Sequence, residues 1–143
     1  MTTQLIFLLV TCFSFAGTKH KGIFQVENKS GVNISELQVI HSYYGEKKTE
    51  LRVPVLLDST LSARKEFFYR CGFGEIYRDY WFVSLRYGDD LYSTKQNFHC
   101  TIRSHDSGYV RIELLRKNSR DHFQARFQFS SSSGCTAMLN IIL

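Results

Sequence analysis

Proline is almost absent from this chain. Pro54 is the only one, and glycine occupies just nine of 143 positions. That excludes a collagen-like or low-complexity chain. No apolar run is long enough for a bilayer-spanning helix; the N-terminal one, Leu5–Ala16, has about 12 residues. No stretch carries a 3.6-residue apolar stripe over three turns, which argues against a helical architecture. Signatures of common chemistries are missing as well. There is no G-x-S-x-G elbow and no P-loop, and Gly72-Phe73-Gly74 stops short of a dinucleotide fingerprint. No D-x-D-x-D-G calcium loop occurs.

What is present is aromatic and basic. The chain holds 12 Phe and 8 Tyr, and its formal net charge is +5. The length fits one domain with a real core. The positive excess favours anionic surfaces such as membranes, glycans or nucleic acid, although an ordinary solvated surface competes with that reading.

Leu5–Ala16 has the length of a signal-peptide core, and Ser14-Phe15-Ala16 places small residues before a cut ahead of Gly17. Residues 1–16 are therefore expected to be a signal peptide, and 17–143 a secreted, extracellular domain. A buried first strand is the competing reading, but the segment lacks period-2 alternation. Secretion makes two sequons meaningful: Asn28-Lys29-Ser30 and Asn33-Ile34-Ser35 both fit N-x-[ST], so Asn28 and Asn33 are candidate glycosylation sites. It also changes the cysteine count. Cys12 leaves with the leader, and Cys71, Cys100 and Cys135 remain. Cys100–Cys135 is the favoured disulfide, tying the C-terminal strand to the main hairpin, with Cys71 left over. Cys71–Cys100 stays open as the alternative.

Nearly every later segment has the pattern of a strand. In Glu36–Tyr43, Leu37, Val39 and His41 alternate with Gln38, Ile40 and Ser42. Pro54 marks Leu51–Leu57 as an edge strand or a loop. Tyr80–Tyr87, a turn at Gly88-Asp89-Asp90, and Leu91–Cys100 form a β-hairpin signature that places Trp81, Val83 and Leu85 inward. Alternation is clearest around Val110–Leu114, Phe123–Phe129 and Ala137–Leu143. The expected fold is all-β: a single antiparallel β-sandwich of about seven to nine short strands.

Gly72-Phe73, Asp79-Tyr80-Trp81, Asn97-Phe98-His99-Cys100, Asp106-Ser107-Gly108 and the Ser-rich approach to Cys135 follow one another in that order. In order and spacing they resemble the small-domain family described as up-regulated in Daf (insulin-receptor) mutants, known from nematodes and fungi. The resemblance runs from about Phe24 to Leu143. It implies a compact β domain, often secreted, with links to stress, longevity or defence, and it implies no catalytic residues. Cys100 and Cys135 match the family pattern, which supports their pairing; Cys71 has no counterpart in it.

Three chemistries can be weighed on the residues themselves. Cys71 and five histidines supply parts of a Cys–His hydrolase, with Gly72-Phe73-Gly74 as a conceivable oxyanion loop, but a strand bend explains those glycines equally well. His99, Cys100 and His105 cluster locally, yet neighbours on a strand face opposite ways and cannot easily share a metal. Asp89, Asp90 and Asp106 sit where turns need carboxylates. The stronger lead is aromatic and basic interleaving in Tyr69-Arg70, Tyr77-Arg78-Asp79-Tyr80 and Arg86-Tyr87 around the Gly72–Gly74 bend, which suits sugar stacking or anionic headgroups. Cross-strand packing that merely stabilises the sheet competes with it.

The expectation is thus a secreted, non-enzymatic binding module with ties to stress or defence. It would use Tyr69, Arg70, Phe73, Tyr77, Arg78 and Tyr80 against a glycan or an anionic lipid surface, with peripheral membrane contact at most. No metal, cofactor or nucleic acid is expected. The alternatives are an interaction module of the extracellular matrix and a small Cys–His hydrolase. The sequence does not fix an oligomeric state.

Overall fold

A computed structural model describes residues 19–43, 48–70, 78–95, 98–102, 108–116, 122–129 and 134–142. They form ten strands: β1 Lys19–Asn28, β2 Ile34–Tyr43, β3 Thr49–Leu56, β4 Lys65–Arg70, β5 Asp79–Tyr87, β6 Asp90–Ser93, β7 Phe98–His99, β8 Tyr109–Arg116, β9 Phe123–Phe129 and β10 Cys135–Ile141. The expected signal peptide and Cys71 lie outside the described residues.

All-β is correct; the strands form a mixed sheet nearly closed into a barrel and not clearly an antiparallel sandwich. Nine strands follow one continuous path, β3-β2-β5-β6-β10-β9-β8-β1-β4, with β7 paired to β5 beside it. β10 makes the path continuous. Its first part, Cys135–Leu139, pairs with β9, and Asn140 and Ile141 pair with β6. The path ends, β3 and β4, approach each other without joining, so the sheet nearly closes into a barrel. It is mixed, because β1 runs parallel to β8, with Val26 opposite Ile112. Alternation tells which residues face inward, and a sandwich and a barrel need the same pattern.

Pro54 sits on β3, a path end, as a residue without an N–H should. The hairpin turn closes in two residues, Gly88 and Asp89, with Tyr87 opposite Asp90 and Gly88 at a φ of 60°. The return run is not one strand. β6 pairs with the end of β5, at Ser84–Tyr87, and β7 pairs with its beginning, at Tyr80 and Trp81.

The barrel interior is filled by the inward rows. Phe24, Phe67, Trp81 and Phe127 are fully buried, and the Trp81 ring meets the other three at centroid distances of 5.6, 5.5 and 5.1 Å. One end of the barrel carries Tyr43, Arg70, Asp79 and the Cys100–Cys135 disulfide. The other carries Asn28, the Gly88–Asp89 turn and Ile141.

Candidate functional site

The residues singled out from sequence separate into two environments. Tyr69 is in the core, because on β4 it shares the inward parity of Phe67, whose ring is 5.9 Å away. It is not a ligand-facing ring, which corrects the expectation. Arg70, the next residue, is half-buried and places its guanidinium 6.0 Å from the centre of the Tyr43 ring. Tyr43 lies opposite Asp79 across β2 and β5, which brings Arg70 to the end of the barrel that holds Arg78 and Tyr80. Phe73, Tyr77 and the bend at residues 72–74 lie outside the described residues.

Tyr80 and Phe82 alternate with Trp81 and Val83 and so face outward, both half-buried. Tyr80 stands between Ser42 on β2 and His99 on β7, and its ring is 6.4 Å from the His99 imidazole. Phe82 is opposite Ile40, and two positions further on the Ser84 hydroxyl meets Gln38 at 3.4 Å. The outer face of β2, β5 and β7 is therefore a strip of rings, with half-buried Ser42 and Gln38 as polar neighbours, Ser84 buried among them, and half-buried Arg78 at one end.

The inner face of the same strands holds a pair that sequence reasoning did not assemble. His41 Nε2 is 2.8 Å from Asp79 Oδ1, and both side chains are completely buried. Asp79 Oδ2 accepts the Ile102 N–H at 3.1 Å, its carbonyl accepts Cys100 N–H, and Trp81 Nε1 donates to the Cys100 carbonyl. The imidazole is walled by Phe67 and Trp81, at 4.5 and 4.6 Å between centroids. Burial pushes the Asp79 carboxyl above its ordinary value, against the hydrogen bond and charge of His41 and the Ile102 N–H. The signal for this pair was legible: His41 shares the inward row of Leu37 and Val39, and Asp79 that of Trp81.

Cys100 and Cys135 form a disulfide with Cα atoms 6.2 Å apart, as favoured from sequence. His99 is exposed on the opposite face, so the two neighbours share no metal. Among the described residues no group of three or more His, Cys, Asp and Glu could hold a metal ion. His105 and Asp106 lie outside them.

A charged cluster covers the outside of β1, β8 and β9. The Glu113 side chain is only 4% exposed although it faces outward. It accepts from Lys29 Nζ at 2.8 Å and from the Arg126 guanidinium, whose Nε lies 2.8 Å away. Burial pushes this carboxyl up, but the hydrogen bonds and charges of Lys29 and Arg126 outweigh it and hold it below the usual value.

The two sequons differ sharply. Asn28 is fully buried. Its Nδ2 donates to the carbonyls of Val32 and Leu56 at 2.8 and 3.0 Å, and its Oδ1 accepts from the backbone N–H and hydroxyl of Ser30. Such an amide has neither a spare N–H nor space for a sugar, so Asn28 is withdrawn as a glycan site of the folded protein. Asn33 is exposed.

Residues 18–138 match the family model described as Up-Regulated in long-lived daf-2, and the chain belongs to that family. No curated protein matches the chain.

Proposed function

We propose that this member of the Up-Regulated in long-lived daf-2 family is a secreted, non-catalytic binding protein that takes glycans on the outer face of β2, β5 and β7. The observation that carries the reading is the placement of Tyr80 beside His99, half-exposed on the outer face of the sheet. Sugar rings present apolar C–H faces to aromatic rings, and their hydroxyls need hydrogen-bonding groups alongside. Half-buried Ser42 and Gln38 supply such groups on the neighbouring strand β2. Arg78 at the end of the strip, with a net charge of +5, suits acidic sugars. Trp81 and Tyr69 serve the core and take no part.

Anionic lipid surfaces are the second reading, favoured by the same net charge and by exposed Phe68 on the outer face of β4. A glycan array probed with the secreted protein and with Tyr80→Ala tests the first reading. Binding lost in the variant, with an unchanged Trp81 emission spectrum, supports it. Binding retained by Tyr80→Ala, or no binding to any glycan, overturns it. Sedimentation with vesicles of phosphatidylserine and phosphatidylcholine decides the second. Secretion itself is tested by sequencing the N-terminus of protein recovered from medium, which should begin at Gly17.

A further inference from the structure

We infer that Asn33 is an N-glycosylation site whose glycan covers an apolar corner of the edge strand β3. This rests on the proposed passage through a eukaryotic secretory pathway. The attachment atom is free: Asn33 Nδ2 donates no hydrogen bond among the described residues, while Oδ1 accepts the backbone N–H of Asp58 at 2.9 Å. N-glycosylation uses Nδ2 and leaves Oδ1 as an acceptor, so the modification preserves the one contact this side chain makes. A bond forms from Nδ2 to the anomeric carbon of a lipid-pyrophosphate-linked oligosaccharide. The bond from that carbon to the pyrophosphate breaks, and one Nδ2 proton leaves.

The contact to Asp58 fixes where the sugar emerges. Ile34 is opposite Leu56 and Ser35 opposite Val55, so Asn33 stands beside the last residues of β3. There Val55 and Leu57 are 58% and 53% exposed, the two most exposed large hydrophobics among the described residues, and Leu61 follows in the same connection. β3 ends the sheet path, and exposed Val55 and Leu57 there form an apolar corner of the kind that invites association. A bulky, hydrated glycan on Asn33 shields it. Asn28, five positions earlier, cannot serve, because a sugar on its Nδ2 would break the bond to Val32 or Leu56 that joins this turn to β3.

The test expresses the chain in a secreting eukaryotic line, once with its own residues 1–16 and once with those replaced by an established leader. Peptide mapping should find a glycan on Asn33 and none on Asn28 in the monomeric fraction, and Asn33→Gln should abolish the endoglycosidase-sensitive mass step. Enzymatic deglycosylation under native conditions should raise aggregation several-fold, and Val55→Ser with Leu57→Ser should reverse that rise. Glycan on Asn28 in folded monomer, or none on Asn33 in the leader-replaced chain, overturns the site. Unchanged aggregation after deglycosylation overturns the shielding. Modification at Asn33 only when the leader is replaced supports the site and counts against the secretory reading alone.

Discussion

Asp79 divides its carboxylate between two partners, His41 Nε2 at 2.8 Å and the Ile102 N–H at 3.1 Å, with no path to solvent for either side chain. Through them the start of β5 is bound to β2 and to the segment that follows β7. The pair lies directly beneath the outer strip: Ser42, between His41 and Tyr43, is the residue opposite Tyr80. The position of the outward rings thus depends on a buried polar contact one residue away on each strand.

The first prediction concerns that contact and pH. The folded-state pKa of Asp79 is raised above the ordinary value of 3.8. Between those two values the folded chain holds a proton that the unfolded chain has released. The favourable contribution is therefore full below 3.8 and is lost as pH rises through the folded value. Asp79→Asn removes the buried charge but keeps an acceptor, and should lie within about 1 kcal/mol of wild type near neutral pH. Lowering the pH to about 4 should favour wild type over this variant. Asp79→Ala orphans both His41 and the Ile102 N–H and should cost about 3 kcal/mol. Urea titrations followed by the emission of Trp81, the only tryptophan, check all three proteins. An Asn variant as unstable as the Ala variant near neutral pH would contradict this account.

Gly22 on β1 provides a steric prediction. A Cβ there would fall 2.6 Å from Phe67 Cζ and 2.7 Å from the Gly108 carbonyl oxygen. That carbonyl also accepts the Ile23 N–H at 2.8 Å, which limits how far it can retreat. Gly22→Ala should destabilise the protein by about 2 kcal/mol, as overpacking of a close-packed site does. A melting temperature equal to that of wild type would show that β1 can move away from β4 at little cost.

Residue parity along each strand made the inward rows legible in the sequence. It placed Trp81, Val83 and Leu85 inside, together with Phe127 and Leu139, and all are fully buried. The same rule applied to β4 would have placed Tyr69 beside Phe67, but its neighbour Arg70 drew it into the candidate surface. Sheet closure was not legible. Nothing in Lys19–Asn28 says that its partner is Tyr109–Arg116, or that the two run parallel, because pairing depends on which inward rows pack together and not on local pattern. The split of Leu91–Cys100 into two strands was equally hidden: β6 pairs with the end of β5 and the end of β10, while β7 pairs with the beginning of β5.

The disulfide prediction follows from chain entropy. Cys100 and Cys135 are 35 residues apart in sequence. A cross-link over that span should contribute about 3–4 kcal/mol, chiefly by restricting the unfolded chain. Cys135→Ser should lose that amount, and so should wild type under reductant. A mass increase of two thiol labels on reduction would verify the bond in the purified protein. If the serine variant unfolds at the same urea concentration as oxidised wild type, the bond contributes nothing.

Glu113 should respond to pH in the opposite sense to Asp79. Its folded-state pKa is held below 4.5 by Lys29 and Arg126. It therefore contributes stability above 4.5, and that contribution is lost as pH falls through the folded value. Its two partners are 42% and 44% exposed, so solvent screens the attraction. Glu113→Gln should cost only about 1 kcal/mol near neutral pH, less in high salt, and nothing once acid has protonated the wild-type carboxyl. Denaturation of both proteins across the acid range, at low and high ionic strength, separates the two carboxylates. As pH falls, wild type should lose its margin over Glu113→Gln and gain on Asp79→Asn. A Glu113→Gln penalty that persists once the wild-type carboxyl is protonated would mean that the side chain acts through packing rather than charge.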